Sequence, residues 1–145
     1  MFQQTIQDLL TVAEAAPNPE DLLERVRTTI LAFERFECGE IVAQSSRGLL
    51  RFTVAPGLGN IGPRLLPLLG DQKTLRMDTA VELTGRGLSE SPGLASLLLL
   101  RLEAPGAASA LIALGHSRNW SFAAAPLSRI RAIASLALRL LLRPS

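Results

Sequence analysis

Gly93-Leu94-Ala95-Ser96-Leu97-Leu98-Leu99-Leu100-Arg101-Leu102-Glu103, a Pro105-Gly106 turn and Ala108-Ser109-Ala110-Leu111-Ile112-Ala113-Leu114-Gly115-His116 read as a strand hairpin over 95–103 and 107–116. One apolar helix follows within residues 123–142. Both strands are apolar at successive positions, not only at alternate ones. A sheet with one wet face would alternate, so this hairpin predicts cover on both faces. The chain is therefore expected to form layers with the sheet in the middle.

Upstream, residues 40–45 and 48–55 read as two strands joined at Ser46-Arg47-Gly48. On the second, Leu50, Phe52 and Val54 alternate with Leu49, Arg51 and Thr53. Residues 56–72 are expected to be loop with a short helical piece, broken by Pro56, Pro63 and Pro67, and residues 73–77 a short strand. Residues 78–92 read as irregular, with a helical turn before Gly85. At the start, residues 2–15 read as a helix with a narrow apolar stripe, Phe2, Ile6, Leu9 and Ala13, of the kind that pairs helices. Pro17-Asn18-Pro19 ends it. Asn18 then caps a second helix running to about Phe36, with Glu20 and Asp21 in its first turn and Leu22, Leu23, Val26, Ile30 and Phe33 on its buried face. No repeat or low-complexity linker divides the chain, so residues 1–145 are expected to form a single domain of the α/β (α+β) class. Sequential antiparallel strands flanked by terminal helices argue against a doubly wound parallel sheet.

Composition narrows the function classes. The apolar fraction is 48% and the net charge +2, so a packed core is expected rather than disorder. Fourteen arginines and one lysine, Lys73, are scattered rather than clustered, and aromatics are few, so nucleic-acid binding is not expected. Cys38 is the single cysteine, which excludes an intramolecular disulfide or a Cys-x-x-Cys couple. The opening residues carry no basic signal region, and Arg129, Arg131 and Arg139 interrupt the apolar helix, so no membrane span of about 20 residues is expected and the location is read as cytoplasmic.

The order of elements, together with Phe33-x-x-Phe36-x-Cys38-Gly39-Glu40-Ile41-Val42, Leu94–Leu102, Gly106, Leu111–Gly115, and Ser121-Phe122 followed by Ile130, Ala134, Leu136 and Ala137, resembles the GAF domain, a sensory module related in architecture to PAS domains. The resemblance covers nearly the whole chain and rests on apolar patterns, which specify a fold better than an activity. It implies a central antiparallel sheet with the terminal helices on one face and the irregular middle on the other. It also implies a small-molecule cavity between sheet and irregular segment, and a homodimer through the terminal helices. The Asn-Lys-x-Phe-Asp-Glu run of cyclic-nucleotide binders is absent from this sequence. Cys38 lies at the first strand rather than in the irregular segment where bilin-binding members attach their chromophore, and the methionine-sulfoxide reductases need more cysteines. No cofactor is therefore named.

Candidate chemistry is sparse. Gly57-Leu58-Gly59-Asn60-Ile61-Gly62 matches a dinucleotide fingerprint, with Asp78 roughly twenty residues on. However, Pro63 and Pro67 follow where a helix would have to start, so a glycine-requiring loop is expected. His116, the only histidine, cannot build a multi-histidine metal site, and no metal is expected. It is read as a solvent-facing strand end, with a cavity contact as the competing reading. Cys38 is read as structural against a redox-sensing alternative, and Trp120 as a packing anchor under the last helix. Arg51, Arg76 and Arg101 interrupt apolar strands; they either bind an anionic ligand through their guanidinium forks, or point to solvent or pair with Asp78, Glu82 or Glu103. Arg51, Arg76, Arg101 and His116 are thus the candidate ligand-binding set. No nucleophile–base pair stands out, so no enzyme is expected. The leading expectation is a sensory or regulatory domain that binds a small molecule and signals through its terminal helices in a dimer. The alternative is a ligand-free dimerisation or protein-interaction module.

Overall fold

A computed structural model describes residues 18–88, 93–103 and 106–142. In chain order these form α1 (Pro19–Leu31), β1 (Cys38–Ser45), β2 (Gly48–Thr53), a 3-10 helix (Gly59–Arg64), α2 (Leu65–Leu69), β3 (Thr74–Met77), α3 (Ala80–Gly85), β4 (Ser96–Arg101), β5 (Ser109–His116) and α4 (Leu127–Leu141). The five strands make one sheet in the order β2-β1-β5-β4-β3, with every neighbouring pair antiparallel.

The hairpin forms as its sequence predicts, with Leu98 opposite Leu114 and Leu100 opposite Ile112. Leu97, Leu98, Leu99 and Leu100 are all fully buried. Burying each such side chain contributes about 1.5–3 kcal/mol, so the run anchors two cores at once. Leu98, Leu100, Ala110, Ile112 and Leu114 pack with Ile41 and Ala43 against Val26 and Ile30 of α1, Phe122, and Ile130, Ala134 and Leu138 of α4. Leu97, Leu99, Leu111 and Ala113 pack with Val42 against Leu58, Ile61, Leu65, Leu69, Leu83 and Leu88. The helical layer and the irregular layer therefore lie on opposite faces of the sheet.

Asn18 caps α1, its side-chain oxygen accepting from the Glu20 amide at 3.0 Å, and Pro19, Glu20 and Asp21 fill the first turn. The helix stops at Leu31, short of the expected Phe36. The reason lies in the connector. The Phe33 and Glu34 amides both turn back to the Ile30 carbonyl, and the Glu37 amide is already bonded to the Gly115 carbonyl at 2.8 Å. Residues 35–37 thus hold the end of β5 instead of extending the helix. β1 accordingly begins at Cys38, paired with Gly115. The expected helix over residues 2–15 and its stripe lie outside the described residues. Among those described, no helix is long and apolar enough to cross a membrane.

Candidate functional site

Glu40 of β1 is fully buried, facing the irregular layer beside Val42. Arg51, on the neighbouring edge strand β2, reaches it with both arms of its fork: Nε donates to Oε2 at 2.6 Å and Nη2 to Oε1 at 2.7 Å. The Leu58 amide donates to the same Oε1 at 2.8 Å, and Arg51 Nη2 also donates to the Gly59 carbonyl. The glycine-rich loop is therefore a strap over an ion pair rather than a phosphate cradle. Its last glycine lies close against the pair, and a Cβ at Gly62 would overlap the Arg51 guanidinium and force it to shift. Glu40 is the residue that sequence reasoning missed. The signal available was an acid inside the otherwise apolar run of β1.

Arg101, at the end of β4, also turns inward to backbone. Nε donates to the Gln72 carbonyl at 3.0 Å and Nη2 to the Gly70 carbonyl, so its charge closes the C-terminal end of α2. Arg131 of α4 meets the same segment from the other side. Its Nε donates to the Arg101 carbonyl at 3.1 Å, and its Nη2 to the Lys73 carbonyl and to Thr74 Oγ1 at 3.1 and 3.0 Å. Two arginines thus connect α2, the edge strand β3 and the terminal helix.

Arg76 of β3 sits near Ser121 Oγ at 3.3 Å and 3.6 Å from Asp78 Oδ2, with its buried Nε unpartnered. His116 is buried at 5% exposure rather than facing solvent. The turn into residues 35–37 explains this. Nε2 lies 2.8 Å from the Arg35 carbonyl and Nδ1 3.2 Å from Glu37 Oε1, while the ring packs on Trp120 and Phe122. Ser117 Oγ donates to the Glu37 carboxylate at 2.8 Å. These Ser117 bonds first, and His116 second, hold Glu37 below the ordinary carboxylate range. Cys38 is half-buried, and burial together with the Glu37 charge pushes its thiol up to about 11. A thiol so placed is protonated at neutral pH and a poor nucleophile. Trp120 packs on His116 as well as against the helical core, and its Nε1 faces Glu34 Oε1 at 3.4 Å.

Arg51, Arg101 and His116 are thus engaged by the protein itself, and Arg76 is engaged through Nη2 alone. On the irregular-layer face, Val42, Leu97, Leu99, Leu111 and Ala113 have 0% exposure, so side chains fill the space beside them. Among the described residues no group of three or more His, Cys, Asp or Glu is placed to hold a metal. Arg64 and Arg86 flank a groove of about 420 Å³ on the outer side of α2, lined otherwise by Pro63, Pro67, Leu68 and Leu88. Arg64 Nη2 donates to the Gly87 carbonyl at 2.8 Å. Gly87 has φ +80, a conformation in which an L side chain is strained.

No protein family matches the chain by sequence, and no curated protein does. Solved structures match it by shape. The phycocyanobilin-bound GAF domain from a cyanobacterial phytochrome superposes with a TM-score of 0.61 at 14% identity, over 95% of this chain and 92% of that one. The GAF domain from Acinetobacter phosphoenolpyruvate-protein phosphotransferase gives 0.56 at 13% identity, over 96% and 92%. The photosensory core module of Stigmatella aurantiaca phytochrome gives 0.61 at 12% identity; 97% of this chain is covered but only 36% of that one, about a third of its length. The architecture is that of GAF domains, and at these identities the likeness speaks for the fold alone.

Proposed function

We propose that this GAF-fold chain is a non-enzymatic regulatory module of the sensory kind, in which a change at the irregular layer is passed to the terminal helices. The observation that carries this reading is the arginine relay. Arg101 holds the end of α2, and Arg131 of α4 holds Arg101, Lys73 and Thr74. A displacement of α2 therefore pulls on hydrogen bonds that end in the terminal helix. A signal acts through such a relay only by favouring one of two packings over the other. The engagement of His116 on both ring nitrogens and the raised pKa of Cys38 support a non-enzymatic role.

Output through a homodimer fits the stripe Phe2, Ile6, Leu9 and Ala13, which lies outside the described residues. At Leu97, Leu99 and Leu111 the irregular layer packs directly on the sheet, and the signal is read at the outer side of that layer. The same filled layer favours a second reading, a ligand-free dimerisation or protein-interaction module.

Arg101→Gln tests the relay. Its guanidinium hydrogen-bonds to the carbonyls of residues 70 and 72. Amide NMR shifts that move in 127–141 as well as in 65–77 support the relay; changes confined to 65–77 overturn it.

A further inference from the structure

We propose that the groove on the outer side of α2 binds a small amphipathic anion, one oxyanion head on an apolar body. The inference rests on the reading that the signal enters at the irregular layer, and it names the chemistry of that signal. Pro63, Pro67, Leu68 and Leu88 give the groove an apolar lining, and Arg64 and Arg86 are the only charged groups among its described lining residues. Neither arginine has an ion-pair partner among the described residues; the ion pairs there are Arg51–Glu40, Arg76–Asp78 and His116–Glu37. Two guanidinium groups without an ion-pair partner among the described residues, set beside an apolar wall, match an occupant that brings both a negative charge and apolar surface.

Size favours a small molecule over a protein segment. The groove holds about 420 Å³, within the roughly 300–1,000 Å³ typical of small-molecule clefts. It is also set for binding in advance. The Gly87 carbonyl fixes one arm of Arg64, leaving the rest of the fork for a ligand, and that carbonyl is presented by a backbone turn that glycine allows. The site lies outside the side-chain-filled interior, with Pro63, Arg64, Pro67 and Arg86 exposed.

Decanoate and decyl phosphate, titrated into the 15N-labelled protein, test the proposal against decyltrimethylammonium, a cation of the same chain length. The oxyanions are expected to move amides at 63–68 and 86–88, and the cation is not. The tighter of the two oxyanions identifies the head group. Arg64→Gln with Arg86→Gln is expected to weaken oxyanion binding roughly tenfold or more, the size of a lost charge-assisted hydrogen bond. Equal binding of the cation, binding indifferent to the double substitution, or no shift at the groove overturns the proposal. The relay is judged separately. Groove shifts with a silent 127–141 segment overturn the relay and leave the site standing. No groove shifts, with Arg101→Gln still moving 127–141, overturn the site and leave the relay.

Discussion

Arg131 Nε donates to the Arg101 carbonyl at 3.1 Å, while the Arg101 guanidinium holds the carbonyls of Gly70 and Gln72. One residue thus serves as acceptor towards the terminal helix and donor towards α2. The edge strand β3 is caught between them, since Arg131 also takes Lys73 and Thr74. A four-residue edge strand has little pairing of its own. These side-chain donors add to its ladder with β4 and to the burial of Leu75 and Met77.

The Glu40–Arg51 pair is expected to be the least tolerant polar contact in the fold. Arg51→Ala leaves a fully buried carboxylate with only the Leu58 amide. Breaking one side of a buried pair costs about 3–5 kcal/mol. Arg51 is itself partly exposed, and solvent screening brings the expected loss to the lower end of that range. Urea unfolding checks it, and a loss under about 1 kcal/mol would show that the pair carries little weight. Gly62→Ala should destabilise as well, by forcing the guanidinium aside.

The Glu37 carboxyl sets an acid-side dependence. Its folded pKa lies below the ordinary value of 4.5. Its stabilising contribution is therefore fully present above that unfolded value and is lost as pH falls through the folded one. Glu37→Gln should unfold at lower urea than the parent protein at pH 7. The gap should close as pH drops below about 4.5. Parallel pH profiles for the two proteins would contradict the assignment.

Cys38 should resist alkylation. With the thiol near 11 rather than 9.0, roughly a hundredfold less thiolate is present at neutral pH than for the ordinary group. Iodoacetamide labelling of the native protein should rise steadily up to about pH 11 and match the unfolded chain only after denaturation. A plateau by pH 9 would mean an accessible, ordinary thiol.

The dimer is checked by light scattering. The full chain should be dimeric, and removal of residues 1–14, which carry Phe2, Ile6, Leu9 and Ala13, should shift it to monomer. A monomer at every concentration, unchanged by the truncation, removes helix pairing from the output mechanism.

The scaffold was legible because its signals are local. The Leu97–Leu100 run announced a doubly covered sheet, Asn18-Pro19 announced a helix start, and the alternation of Leu50, Phe52 and Val54 with Leu49, Arg51 and Thr53 announced a strand. The polar contacts were not legible because their partners lie far apart in sequence. Arg51 was visible as an interruption, but its partner Glu40 is eleven residues away on another strand. His116 looked like an exposed strand end because its polar partners Arg35 and Glu37 come about eighty residues earlier, although Trp120 and Phe122, which cover its ring, are near in sequence. Backbone carbonyls as partners, as for Arg101 and Arg131, leave no side-chain signature at all. Arg64 and Arg86 stand out only once the fold brings them to one apolar groove, twenty-two residues apart in sequence.

A double-mutant cycle on Arg101→Gln and Arg131→Gln, read by urea unfolding, bears most directly on the relay between α2 and the terminal helix. Both side chains restrain the segment 70–74 from opposite sides. Members of one hydrogen-bond network typically couple by about 0.5–3 kcal/mol. A coupling of at least about 0.5 kcal/mol is the expected result. Additive losses would mean that the two arginines act independently and that no relay joins α2 to α4.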